Sequence, residues 1–205
     1  MAYPTVSKPY GLQPINRVDG MPYAGATRQL TIASDYNTAI FNGDIVRVAA
    51  GGTIQKSTVT VDSTTAAANN TYGVFVGVQY VNTQGQTVQA QYYPGNAAAS
   101  SAIAYVVDDP MAAYKVAVAY ANGVVTTVTQ AAVGTNMSYY NGTGSSTTGD
   151  SGAFVTAASG ANTATLPFRV IAVVPDTNVT ATTFCEVIVK VNTNAYNTAL
   201  GNNLS

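Results

Sequence analysis

The chain has no histidine, no tryptophan and one cysteine, and only 8% of its 205 residues carry charge. Without histidine, the side chain that most often moves protons near neutral pH is missing, and most acid–base mechanisms go with it. A lone cysteine, Cys185, rules out an internal disulfide, which fits a protein made in a reducing cytoplasm. Eight Lys and Arg residues spread along the chain do not form the basic track that a phosphate backbone requires, so nucleic acid is not an expected partner. No run approaches the roughly 18 apolar residues of a membrane span, and Met1–Val6 does not open a basic-then-apolar leader. Neither a membrane nor a secretory route is therefore expected. The Asn-X-Ser/Thr triplets at Asn69, Asn136, Asn141 and Asn178 are read as chance in an Asn- and Thr-rich chain.

What is present is a 47% hydrophobic composition with a formal charge of −1 and a pI near 5.0. That is enough apolar material for one or two cores. Charge keeps free proteins apart in solution, so a surface this poor in charge suits a component covered by partners in an assembly.

Four of the eight prolines (Pro4, Pro9, Pro14 and Pro22) fall in residues 1–27. Proline this dense forbids a helix and blocks central-strand pairing. We therefore expect an extended N-terminal arm, which either wraps its own domain or lies on a neighbouring subunit. A β domain is expected over 28–192 and a polar tail over 193–205. Strands are read at Arg28–Ala33, Asp44–Val48, Thr53–Lys56, Gly73–Tyr80, Gln86–Tyr92, Ala102–Val107, Ala113–Tyr120, Val124–Thr129, Phe168–Val174 and Thr183–Val191. Alternation supports them: Val74, Val76, Val78 and Tyr80 on one face; Cys185, Val187, Val189 and Val191 inward, with Glu186 and Lys190 outward. Asn122-Gly123 is a hairpin signal. Residues 134–165 are mostly Gly, Ser, Thr, Ala and Asn, and read as a protruding loop insertion. The fold class is all-β, a single β-barrel or β-sandwich with an extended N-terminal arm and a long Gly/Ser/Thr-rich loop.

Few residues offer chemistry. Asp108-Asp109-Pro110 is the one adjacent acidic pair; it reads as a turn, or as part of a Ca²⁺ site if further oxygens converge. Gly149-Asp150-Ser151-Gly152 resembles the surroundings of a serine nucleophile but lacks a histidine base, and reads as a polar loop. Gly51-Gly52 is not followed by the Lys-Ser/Thr of a phosphate loop. Cys185 lies in a strand and reads as a small buried hydrophobe. No catalytic residue, metal or cofactor is assigned, and the chain is not expected to be an enzyme. The fourteen tyrosines divide. Tyr105, Tyr114 and Tyr120 sit in apolar alternation and suit packing, whereas Tyr3, Tyr10, Tyr23, Tyr139 and Tyr140 suit interfaces.

Tyr10-Gly11-Leu12-Gln13-Pro14-Ile15-Asn16-Arg17, the stretch Tyr23–Ser34, Phe41–Val46 and Ala104–Pro110 resemble segments of tailed-bacteriophage head decoration (capsid cement) proteins of the kind found in phages of marine bacteria and cyanobacteria. The likeness covers roughly residues 10–125 and, weakly, Phe168–Val191. It implies a virion protein made in the host cytoplasm that binds the capsid exterior and bridges copies of the major capsid protein. It also implies a homo-oligomer, with a trimer at three-fold positions as the expected form. On that view the capsid- or neighbour-contacting residues are Tyr3, Tyr10, Leu12, Ile15, Arg17, Met21 and Tyr23 of the arm, with Arg17 and Arg28 pairing acidic capsid residues, and Tyr139 and Tyr140 of the loop. The alternative is a virion fibre or receptor-binding module that holds carbohydrate in a Tyr/Asn-rich groove. A capsid shell protein would need a long helix that the sequence does not offer.

Overall fold

The computed structural model describes residues 5–57, 71–95, 102–120, 123–161, 166–177 and 183–192, and the fold is all-β. Twelve strands are described: β1 (Gln13–Arg17), β2 (Arg28–Ile32), β3 (Ile45–Val48), β4 (Ile54–Lys56), β5 (Gly73–Val81), β6 (Thr87–Ala90), β7 (Ala102–Val107), β8 (Ala112–Ala119), β9 (Asn136–Tyr140), β10 (Phe154–Ala161), β11 (Phe168–Val173) and β12 (Cys185–Val191). Short 3₁₀ turns cover Gln130–Ala132 and Pro175–Thr177.

The first sheet closes into a five-stranded barrel in the order β8-β10-β9-β11-β12, with β12 returning to pair with β8. β12 runs along one edge of β8 from Ala113 to Val118. The opposite edge is shared: β1 takes Ala112–Lys115, and β10 takes Val118–Ala119 in a short parallel contact. The second sheet, ordered β2-β7-β5-β3-β4, repeats this device. β7 covers one edge of the long strand β5, while β3 and β6 divide the other.

Two cores result. Tyr114, Val116 and Val118 of β8 and Cys185, Val187 and Val189 of β12 fill the barrel. Val46, Phe75, Val78 and Val106 fill the second core. The sheets meet where neighbours in sequence point opposite ways. Ile45, Val74 and Val107 enter the barrel core, while Val46, Phe75 and Val106 face the other. Strands buried on both faces lose their alternation for this reason. The pattern expected at Val74, Val76, Val78 and Tyr80 breaks because the register against β7 shifts between Phe75 and Gly77. A bulge there turns Val74 to the barrel and Val78 to the second core.

Two expectations are corrected, and one choice that the sequence leaves open is resolved. Residues 134–165 are not a protruding loop insertion: β9 and β10 are barrel staves. Only the connection 141–153 between them is irregular, and 162–165 lie outside the described residues. On the open choice, residues 5–27 wrap their own barrel. β1 is a strand of the first sheet, and Leu12 is fully buried, a contribution of about 2 kcal/mol. Pro14 suits an edge strand: among the described residues β1 joins no ladder on its outer side beyond the Asn16–Pro22 bridge. Second, Val124–Thr129 makes one bridge, Ala119 to Val125, after the turn at Gly123. The tail 193–205 lies outside the described residues.

At one point two backbones touch. Gly11 and Gly43 both have positive φ, +87° and +89°. A Cβ added to Gly11 would lie 2.8 Å from the Gly43 Cα, and one on Gly43 would lie 2.9 Å from the Gly11 Cα. Gly11→Ala or Gly43→Ala is expected to cost about 2–4 kcal/mol, combining left-handed strain with overpacking. Gly85→Ala, at φ +80° with nothing within 4 Å of the new methyl, should cost only about 1–2 kcal/mol. Urea unfolding midpoints check this, and equal losses at the three positions would contradict it.

Candidate interaction surfaces

Of the residues expected at an interface, two are core. Leu12 and Tyr139 have no exposed surface. The Tyr139 ring meets Phe168 edge-on, with centroids 5.6 Å apart, and its hydroxyl pairs with Ser57 Oγ. The interface role assigned to both is corrected on that ground. The alternation of Met137 and Tyr139 was the available signal, but Gly/Ser/Thr-rich flanks hid it. Tyr140 lies half-buried outside the barrel against Phe154, with centroids 5.3 Å apart. Ile15 is half-buried in β1. Tyr3 lies outside the described residues.

Tyr10 ties the arm to the barrel wall. Its hydroxyl donates to Glu186 Oε1, and the Lys115 ammonium sits 5.7 Å from its ring centroid and 3.3 Å from the same carboxylate. Glu186 points away from the barrel core, as its place in β12 dictates, but the arm covers it and it is buried. Burial, reinforced by the neighbouring carboxylate, pushes the Tyr10 phenol well above its usual range. Tyr10 is thus a structural clasp. Tyr23 packs against the barrel core and donates to the Ala26 carbonyl at 3.2 Å.

The arginines find acids within the chain. Arg17 reaches Asp19 at 2.9 Å and Asp109 at 3.4 Å, and Arg28 Nε lies 2.6 Å from Asp108. Both thus have acidic partners within the chain, where acids of the capsid were expected. That arrangement also settles the acidic pair as a turn: Asp109 Oδ1 accepts the Met111 amide at 2.8 Å, and each carboxylate has its own guanidinium. Among the described residues no group of three His, Cys, Asp or Glu could hold a metal ion.

Those ion pairs brace a tight turn. Gly20 N–H donates to the Arg17 carbonyl, Arg17 N–H to Met21, and Val18 N–H to Met111, at 3.2, 3.2 and 2.8 Å. Asp19 Oδ1 accepts the Met21 amide at 3.2 Å. At the apex Met21 is 60% exposed and Val18 39% exposed. A flexible thioether held out by a rigid turn is an adaptable apolar contact.

The Gly-Asp-Ser-Gly segment lies elsewhere, packed on the 41–45 turn. Ser151 Oγ donates to Asp44 Oδ1 at 2.6 Å and accepts the Ala153 amide at 2.9 Å. Asp44 Oδ2 accepts the Phe41 amide at 2.9 Å and pairs with Lys56 Nζ at 2.8 Å. Asp44 and Ser151 are both buried. The Asp44 carboxylate thus ties the 41–45 turn to Lys56 and Ser151, and the group joins segments remote in sequence.

No protein-family model, no curated protein and no solved structure matches this chain.

Two outcomes are expected. Lys56→Met strands the buried Asp44 charge and should cost on the order of 3 kcal/mol, most of it recovered in the Asp44→Asn/Lys56→Met pair. A double-mutant cycle by urea unfolding checks this, and additive losses would contradict it. Second, burial raises the Tyr10, Tyr114 and Tyr139 phenols and pushes the Cys185 thiol up to about 11. These groups ionise in the unfolded chain from their ordinary values of 10.0 and 9.0 while the folded chain keeps the protons. The unfolded state then binds fewer protons, so stability holds below about pH 9 and falls as pH rises beyond it. Unfolding midpoints that stay level to about pH 11 would contradict this.

Proposed function

We propose that the chain is a virion structural protein. It binds the outside of an icosahedral tailed-phage capsid as a homo-oligomer, most simply a trimer at three-fold positions, and stabilises the shell by bridging copies of the major capsid protein. The observation that carries the reading is the pair of exposed apolar side chains, Val18 and Met21, on a turn held by hydrogen bonds and ion pairs, on a body poor in charge. The sequence resemblance points the same way. The reactive-looking groups, Ser151, Asp44, Asp108 and Asp109, are engaged in turns and ion pairs, which supports a non-enzymatic role. A cement protein binds only the assembled lattice, so it stabilises that lattice by mass action. Repeated attachment makes weak single contacts hold.

The test uses substitutions at the apex, because deleting the arm would remove β1 and the Leu12 anchor with it. Met21→Glu, alone and with Val18→Glu, should leave the thermal melt within a few degrees of the parent. Each should lower binding to capsids lacking the protein by about tenfold or more, the scale of a lost hot-spot contact. With contacts of this apolar kind, raising salt from about 0.05 to 0.5 M should change capsid affinity less than about threefold. Unchanged co-sedimentation of the double variant with capsids would remove the apex from the proposal.

A further inference from the structure

The second sheet has a face that the barrel covers only in part. Val74 and Val107 carry one portion of it into the barrel core. Beyond them the same face continues with Gln29, Thr31, Ile103 and Gln89 exposed and Tyr105 and Gln79 half-buried. On β2 it presents Gln29 and Thr31, which pair with Tyr105 and Ile103 of β7. On β5 it presents Gly77 and Gln79, the first opposite Tyr105 and the second opposite both Ile103 and Gln89 of β6. None of these side chains is charged, although the inward positions of the same strands are as apolar as a core requires.

The face is not flat. The bulge before Gly77 and the missing side chain at Gly77 leave a recess of about 320 Å³, open to solvent and lined by Gly77, Val78, Gln89, Ala90, Gln91 and Tyr105. Its size is at the lower end of ligand clefts. A Cβ on Gly77 would stand 3.8 Å from Tyr105 Cδ2, so the ring edge borders the vacant position and forms one wall. The Tyr105 hydroxyl donates to Gln79 Oε1 at 3.2 Å, which fixes ring and amide relative to each other. At the rim Gln91 Nε2 donates to Asp150 Oδ1 at 3.0 Å, bringing a carboxylate near the recess.

We propose that this recess is a binding site for a neutral carbohydrate chain. Carboxamides carry both a donor and an acceptor, and a row of them can serve successive hydroxyls of an uncharged sugar. The aromatic wall supplies an apolar surface for the C–H face of a pyranose ring. No lining residue is basic, so the lining itself offers nothing to pair with a sulfated, sialylated or phosphorylated ligand. The Asp150 carboxylate would repel such a ligand while still accepting a hydroxyl proton. The site lies on a different element from the Met21 apex and does not depend on the capsid-binding proposal.

The full-length protein is titrated calorimetrically with maltohexaose, cellohexaose, mannohexaose and N-acetylchitohexaose. Sialyllactose and a heparin oligosaccharide serve as charged controls. At least one neutral chain should bind with a Kd of roughly 0.1–1 mM and the charged ones more weakly. Tyr105→Ala and Gln89→Ala should each weaken that binding about tenfold while retaining the parent's melting temperature. Failure of all four neutral chains to bind at about 10 mM overturns the proposal, as does binding that both variants leave unchanged. If Tyr105→Ala instead alters the oligomeric state by sedimentation, the face is a contact between copies and the proposal also falls.

Discussion

The molecule is held together at one buried junction, where the Asp44 carboxylate sits beneath the contact of Gly11 and Gly43. Three stretches remote in sequence converge there. Leu12 N–H donates to the Gly43 carbonyl at 3.0 Å, Gly11 N–H to Ala153 at 3.1 Å, and Ser151 N–H to Asn42 at 2.9 Å. Asp44 then gathers Phe41, Lys56 and Ser151 around one carboxylate. Asn141 adds a second tie, since its side-chain amide exchanges hydrogen bonds with the backbone of Ile45 at 3.3 and 3.2 Å and reaches the Ser57 carbonyl at 2.9 Å. The barrel meets the second sheet here, and the arm enters here. A buried charge is tolerable only when it is paired and hydrogen-bonded, and this one has an ammonium, an amide and a hydroxyl.

The junction fixes where the arm can go. With residue 11 clamped, Tyr10 falls over Glu186 and Lys115 on one side, and β1 runs along β8 on the other. The turn at Arg17–Met21 is therefore carried at the end of a strand paired to the barrel, not on a loose tether. A contact presented this way loses little entropy on binding. The choice left open by the sequence, between an arm on its own domain and an arm on a neighbour, resolves for residues 5–27 into the first. At the end of that arm Val18 and Met21 stay exposed.

Much of the β framework was legible, because alternation bounded by Gly and Asn turns is a local signal. β7 has the expected limits, Ala102–Val107, and β2, β5, β8, β11 and β12 differ from expectation by at most two residues at either end. What escaped was set by distant contacts. β9 and β10 are short runs of ordinary strand residues among Gly, Ser and Thr, and they become barrel staves only through pairing with β8 and β11. Tyr139 looked like a loop tyrosine because nothing nearby announces the Ser57 hydroxyl that receives it. Glu186 kept its expected side of β12, but its burial comes from Tyr10, far earlier in the chain. The Gln-lined outer face of β6 could be read from the alternation Gln89, Gln91 against Val88, Ala90. The recess beside it could not, since a bulge and a cross-strand glycine create it.

The placement of charge ties the two proposed surfaces together. Arg17, Arg28, Lys56 and Lys115 all face acids of the same chain, so much of an already small complement is neutralised internally. The two proposed surfaces rely on amides, hydroxyls, a tyrosine ring and the Met21 apex. Such groups provide little long-range steering, so encounter would proceed at the unassisted rate and specificity would rest on shape. Individually weak, neutral contacts suit a protein that acts in many copies on a lattice, where the spacing of sites multiplies each contact. A repeating array of uncharged recesses would engage a polysaccharide by the same arithmetic. The scarcity of charge noted at the outset is thus what both surfaces have in common.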